Sequence, residues 1–114
     1  MKKKNIIKSS REYTKIIKTS KYLKNSNFII YYQQGNKINR YGISVPTKTG
    51  KANVRNKIKR QIKNIVDNNE TSIQKPFNYV IIIRKGLLEL SYKEIEISLL
   101  NLLKKIGDYN EKEK

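Results

Sequence analysis

The stretch NVRNKIKRQIKNIVDN, residues 53–68 of the 114-residue chain, is its most informative segment. Apolar residues recur in it with the three- and four-residue spacing of an α-helix, which predicts a helix with one side buried in the core. The apolar positions are Val54, Ile58, Ile62, Ile65 and Val66.

A second side of the same helix carries basic residues. At about 100° per residue, the side chains that fall together there are Asn56, Lys59, Arg60 and Lys63, with Arg55 at the edge. Residues 48–63 contain seven basic residues and no acidic residue. A helix stabilised by surface ion pairs would mix both signs at i, i+4. We therefore predict that this segment binds nucleic-acid phosphates, where cations displace condensed counterions; the alternative is a merely solvated helix face.

The overall charge points to the same class of partner. The chain has 26 Lys and Arg against 9 Asp and Glu, a net charge of +17. Solubility alone needs a charge of roughly 2–8, so a polyanionic partner is expected.

Composition also excludes several chemistries. There is no Cys and no His, which rules out disulfides, zinc sites built on thiolate or imidazole, and Ser–His or Cys–His nucleophiles. The acidic residues are scattered and suggest neither a catalytic dyad nor a metal cage. We expect no catalytic residue and no metal site on the chain. The longest aliphatic run, residues 80–83, is too short to span a membrane, and no signal peptide is visible, so a cytoplasmic location is expected.

The rest of the sequence predicts a single α+β domain, residues 1–114, with a flexible basic arm at 1–7 and a flexible tail at 108–114. Ser9 and Glu12 form a capping-box pattern that opens a helix over residues 10–19. Strands are expected at 27–33, 38–45 and 77–84, with a brief extended piece at 21–24. A second Ser-x-x-Glu pattern at 91–94 opens a last helix, which Gly107 is expected to end. We predict a two-layer sandwich of helices on one antiparallel-rich sheet.

Aromatic residues are the second candidate for RNA contact. An aromatic exposed on a sheet beside a basic helix can stack on single-stranded bases. Phe28 and Tyr32 share one strand face by alternation, while Tyr31 points to the other. Core packing is the alternative for each of them.

Three motifs give the chain a family resemblance. They are RYGISV at residues 40–45, KTGKA at 48–52 and VRNKIKR at 54–60, followed by YKE at 92–94. Together they resemble the bacterial ribonuclease P protein component, from about residue 8 to residue 105. The resemblance implies a ribosomal-protein-S5-domain-2-like fold with a left-handed β-α-β crossover. It also implies a ribonucleoprotein endonuclease that removes the 5′ leader of precursor tRNA, with the catalytic centre and Mg²⁺ in the RNA subunit.

The resemblance assigns roles to residues by position. The RNA-binding set is Arg55, Asn56, Lys59, Arg60, Lys57, Lys48 and Lys51, to which the helical spacing adds Lys63. The leader cleft, between the first helix and the sheet, is assigned Tyr13, Ile17, Phe28 and Tyr31. Ile17 stands where the family commonly has a second cleft aromatic, so stacking at that position is lost and a weaker leader affinity is expected.

The expected partners are ribonuclease P RNA and precursor tRNA, without membrane or DNA. The alternative is a non-catalytic structural RNA-binding protein, ribosomal or tRNA-binding. A DNA-binding domain ranks third, because no second helix is spaced for a helix-turn-helix.

Overall fold

The computed structural model describes residues 1–73 and 75–112, and within them the chain forms three α-helices and four strands. In chain order they are α1 (Ser10–Thr19), β1 (Lys21–Lys24), β2 (Phe28–Gln34), β3 (Arg40–Ser44), α2 (Ala52–Asn68), β4 (Phe77–Ile83) and α3 (Tyr92–Lys112). The strands form one sheet in the order β1-β2-β4-β3. β1 and β4 run antiparallel to β2, whereas β3 and β4 are parallel and are connected through α2.

The central strand β4 explains why helices lie on both faces of the sheet. Its side chains alternate: Tyr79 and Ile81 join the larger core with α2 and α3, while Val80 joins a smaller core with Ile16 of α1. A strand that is apolar at consecutive positions must be covered on both faces. The α+β class and the antiparallel-rich sheet are confirmed, since two of the three strand pairings are antiparallel. The two-layer prediction is wrong, because α1 adds a layer on the face opposite α2 and α3.

Serine caps set the starts of α1 and α3, as the sequence predicts, and among the described residues the reciprocal capping box is complete only at α3. The Glu12 backbone N–H donates to Ser9 Oγ at 3.3 Å. At α3 the Glu94 N–H donates to Ser91 Oγ at 3.2 Å, and Glu94 Oε1 accepts from the Ser91 N–H at 3.0 Å. These hydrogen bonds lower the pKa of Glu94 below its usual value. Each cap satisfies N–H groups that the helix itself leaves without a partner.

Both ends of the chain differ from the prediction. The N-terminal arm lies along β3: Ile6 forms a parallel bridge with Tyr41, and the Ile7 N–H donates to the Tyr41 carbonyl at 2.9 Å. Ile7 is buried, and the Met1 amino group pairs with Asp67 of α2. The arm therefore packs as part of the fold.

Gly107 does not end α3, which continues to Lys112. Helical hydrogen bonding carries on past the glycine, so most of the expected tail belongs to the helix; residues 113–114 lie outside the described residues. None of the helices in the described part is long and apolar enough to cross a bilayer.

Candidate nucleic-acid interface

The basic residues of α2 lie on the side of the helix that the core leaves free. Ile58, Ile62, Ile65 and Val66 are buried, and Val54 is half-buried. On the other side, Asn56 and Arg60 are exposed, and Arg55, Lys59 and Lys63 are half-buried. We call these five residues the basic stripe. Their partial burial fits long side chains that lay their stems on the protein and keep their charge at the surface.

The stripe is extended by the segment that leads into α2. Lys48 lies in a short 3-10 turn, Thr47–Thr49, and Lys51 is the N-cap residue; both are exposed. The positive end of the helix dipole adds to their field. Lys57 is exposed as well, on a different side of α2 from the stripe.

None of these cations has an ion-pair partner within residues 1–73 and 75–112. The pairs there link Glu12 with Arg40, Met1 with Asp67, Glu70 with Lys75 and Glu96 with Lys93. Like charges held close together without counter-charges repel one another, and that repulsion is relieved when a polyanion binds.

Arg55 has an additional unsatisfied group. Its Nε is buried and meets no hydrogen-bond acceptor among the described residues. A buried donor without a partner costs roughly 1–3 kcal/mol. A bound phosphate that drew the guanidinium outward would relieve this cost, and Arg is suited to a forked contact with phosphate oxygens.

The second candidate surface is the face of the sheet that α1 covers in part, here called the α1 face. Tyr13 and Ile17 of α1 pack there with Tyr31 of β2, and all three are half-buried. The structure thus brings together three of the four residues assigned to the leader cleft.

Phe28 does not lie with them, and its assignment to the cleft is wrong. It is fully buried, at 0% exposure, in the core beneath α2 and α3. Phe28 and Tyr31 are three residues apart on one strand, so alternation places them on opposite faces of the sheet.

The RYGISV strand, β3, contacts α1 through Arg40 and Gly42, two motif residues outside the set assigned to the leader cleft. Arg40 pairs through both guanidinium ends with the two carboxylate oxygens of Glu12 on α1. Gly42 lies directly under the Tyr13 ring, so a Cβ at that position would come within 2.6 Å of Tyr13 Cε2. The glycine and the arginine in the motif could have signalled these contacts, but their partners on α1 cannot be read from β3 alone.

The Tyr13 hydroxyl is held in a buried environment. Burial raises the pKa of Tyr13, and the Ser44 side chain opposes this shift by a smaller amount. The two hydroxyls do not reach the geometry of a full hydrogen bond, since the Tyr13 oxygen is buried without a partner in the described part of the chain. Tyr13 is therefore a neutral ring with an unused polar group at the α1 face.

The described residues hold no group of three or more acidic, histidine or cysteine side chains placed to bind a metal ion. The surfaces that they do form are an unpaired cationic helix and a half-covered aromatic sheet face. Those two features define a small, basic, nucleic-acid-binding α+β protein.

Comparison with known proteins makes this class specific. The family model described as Ribonuclease P matches residues 1–107. A ribonuclease P protein component from Mycoplasma mycoides is 43% identical over 108 residues, covering 93% of this chain and 99% of that one. The solved ribonuclease P protein from Thermotoga maritima superposes with a TM-score of 0.82 at 36% identity, covering 87% of this chain and 94% of that one. A ribonuclease P protein from Staphylococcus aureus gives 0.83 at 29% identity, covering 90% and 94%.

The chain belongs to the ribonuclease P protein family. It is accordingly the protein subunit of a ribonucleoprotein that processes tRNA, in which the catalytic centre lies in the RNA. A protein whose composition offers no His or Cys, and whose main surface is cationic, fits this division of labour.

Proposed function

We propose that the basic stripe, with Lys48, Lys51 and Lys57, binds ribonuclease P RNA, and that the α1 face holds the 5′ leader of precursor tRNA. In this role the protein assists endonucleolytic removal of the leader to give the mature tRNA 5′ end. The observation that carries the proposal is the set of seven basic residues in 48–63 without an acidic neighbour or an ion-pair partner in the described structure.

The stripe supports binding to folded RNA because it combines charge with directional donors. Each Lys or Arg that meets a phosphate releases counterions, which makes the affinity strongly salt-dependent. Arg55 and Arg60 can fork onto phosphate oxygens. Asn56, exposed between them, can donate and accept hydrogen bonds through its amide.

The α1 face supports binding to single-stranded RNA because aromatic and aliphatic side chains lie there on a part of the sheet that α1 only partly covers. Tyr13 and Tyr31 can stack on unpaired bases, which are the parts of RNA that proteins reach most readily. Ile17 adds apolar contact without stacking. Precursor tRNA would present its leader here while its folded body lies on the RNA subunit.

Three finer features complete the proposal. Mg²⁺ is bound mainly by the RNA subunit, in keeping with the acid-poor surfaces described above. The β3-α2-β4 crossover is left-handed, as in the ribosomal-protein-S5-domain-2-like fold that the family resemblance implies. The protein acts in the cytoplasm.

Reconstitution with a cognate ribonuclease P RNA tests the function. We expect the protein to lower the Mg²⁺ or salt concentration needed for cleavage of precursor tRNA, and to favour leader-bearing substrate over mature tRNA. Tyr13→Ala should weaken the binding of leader-bearing precursor tRNA more than the binding of leaderless tRNA. Unchanged cleavage together with tight binding to ribosomal RNA would instead support a structural RNA-binding protein.

A further inference from the structure

A row of residues runs straight across the α1 face from one edge of the sheet to the other. The strand registers place Gly42 beside Val80, Val80 beside Tyr31, and Tyr31 beside Tyr22. Residues paired in this way lie on the same face of the sheet. Since the Tyr13 ring lies on Gly42, a tyrosine stands at each end of the row.

Cover decreases along this row. Val80 is fully buried beneath α1, Tyr31 is half-buried, and Tyr22 is 52% exposed. Tyr22 is one of the few large apolar or aromatic side chains that the described structure leaves open to solvent. The α1 face therefore does not end at the helix but continues onto β1.

The exposed ring is held in place by its neighbour. The centroids of Tyr22 and Tyr31 are 5.4 Å apart, and their planes are tilted by 43°. Aromatic pairs at this separation stabilise each other by more than the burial of their surface area alone would give. Contact with Tyr31 therefore restricts the position of the Tyr22 ring, while the other side of that ring faces solvent.

Cations lie at the same corner. Lys24 is two residues beyond Tyr22 on β1, on the same face, and is exposed without an ion-pair partner in the described part of the chain. Exposed Arg84 donates to the Asn25 carbonyl at 2.6 Å, next to the end of β1. A ring for a base beside cations for a phosphate is the combination that binds single-stranded nucleic acid.

We propose that Tyr22 and Lys24 form a further nucleotide subsite of this protein, which takes a base and phosphate of the leader upstream of those held at Tyr13. This inference rests on the proposed leader binding at the α1 face. Tyr22 lies three strand spacings, about 14 Å, from Gly42, so only leaders long enough to cross the sheet reach it. The tyrosine pair on β1 and β2 supplies stacking that Ile17 does not.

The test is binding of precursor tRNA to the reconstituted holoenzyme, with leaders lengthened one nucleotide at a time. Tyr22→Ala should match wild type with short leaders and bind long leaders about five- to tenfold more weakly, within the range for loss of one base–aromatic stack. Tyr22→Phe should bind like wild type. Tyr92→Ala is the matched control, because Tyr92 is a tyrosine with 37% exposure on α3, the helix packed against the other face.

The outcomes separate this inference from the proposed function. Equal affinity of Tyr22→Ala and wild type at every leader length, with Tyr13→Ala still selective for leader, would overturn the subsite alone. A wild-type holoenzyme without leader dependence would overturn the leader proposal itself. If Tyr22→Ala also weakened the binding of leaderless tRNA, the subsite would be overturned as well. A 2-aminopurine placed in the leader gives an independent readout, since its fluorescence should be quenched on Tyr22 and recover in Tyr22→Ala.

Discussion

The ring of Tyr13 rests on Gly42, and there is no room between them for a methyl group: a Cβ on Gly42 would lie 2.6 Å from Tyr13 Cε2 and 3.0 Å from Cδ2. One glycine on an edge strand thus sets how closely the first helix approaches the sheet. The motif that marks the family on β3 and the aromatic assigned to the leader are parts of one contact.

Gly42→Ala should force α1 away from the sheet. Overpacking of this kind typically costs about 1–3 kcal/mol of unfolding free energy, measurable by urea denaturation. Leader-bearing precursor tRNA should also bind more weakly, because Tyr13 would be displaced. In a Tyr13→Ala background the added methyl group has no ring to meet, so the same substitution should cost much less. Equal costs in both backgrounds would contradict the contact.

The Glu12–Arg40 ion pair is a second contact between α1 and β3, beside that of Tyr13 with Gly42. Its side chains are 34% and 32% exposed, so solvent screens the pair and the contribution to stability should be modest, roughly 1 kcal/mol. We expect Arg40→Ala and Glu12→Ala to lower stability by similar amounts, and the double variant to lose less than the sum. Strict additivity in this double-mutant cycle would show that the pair contributes nothing.

Tyr41, which is buried in the larger core, leads us to predict a loss of folding stability at high pH. Burial raises the pKa of Tyr41 to about 12, although Asn39 Nδ2 donates to its hydroxyl at 3.2 Å and lowers it in part. Burial also raises the pKa of Tyr79, whose ring stacks on Tyr41 with centroids 5.4 Å apart. In the unfolded chain both tyrosines have the ordinary pKa of about 10.

Between pH 10 and 12 the unfolded state therefore binds fewer protons than the folded state. Stability should be fully present below pH 10 and fall as the pH rises, by up to about 1.4 kcal/mol per pH unit for each such tyrosine. Tyr41→Phe cannot ionise and should show a shallower fall, although it loses the Asn39 hydrogen bond at every pH. Urea unfolding of both proteins across this range measures the difference, and parallel pH profiles would contradict the assignment.

Local patterns in the sequence predicted the elements well because their causes are local. The Ser9–Glu12 box and the apolar spacing after it placed α1 at the bounds that the structure shows. The strand predicted at residues 77–84, which contains the aliphatic run 80–83, is β4 in the structure, Phe77–Ile83. The stripe on α2 needed only the 3.6-residue period of the helix.

What the sequence could not predict depends on contacts between distant segments. The side of the sheet that α1 covers follows from the pairing of Glu12 and Tyr13 with β3, which no periodicity reveals. The contact of Tyr22 with Tyr31 depends on the register of β1 and β2, which the sequence does not reveal. The basic residues of the arm predict mobility, but Ile7 beside them is buried against Ile16 and Val80, which lie further along the chain.

The basic stripe makes a quantitative prediction about salt. If Arg55 and Lys59 each contact a phosphate, Arg55→Ala and Lys59→Ala should each reduce the slope of log affinity against log salt by about one unit. Lys104→Ala is the matched control: it removes the same charge from an exposed position on α3 and should leave the slope unchanged. Binding of the RNA subunit is measured between low and moderate salt for the three variants and wild type. Equal slopes for all four would mean that the stripe is only solvated, whereas equal reductions in all three variants would mean that net charge, not the stripe, governs binding.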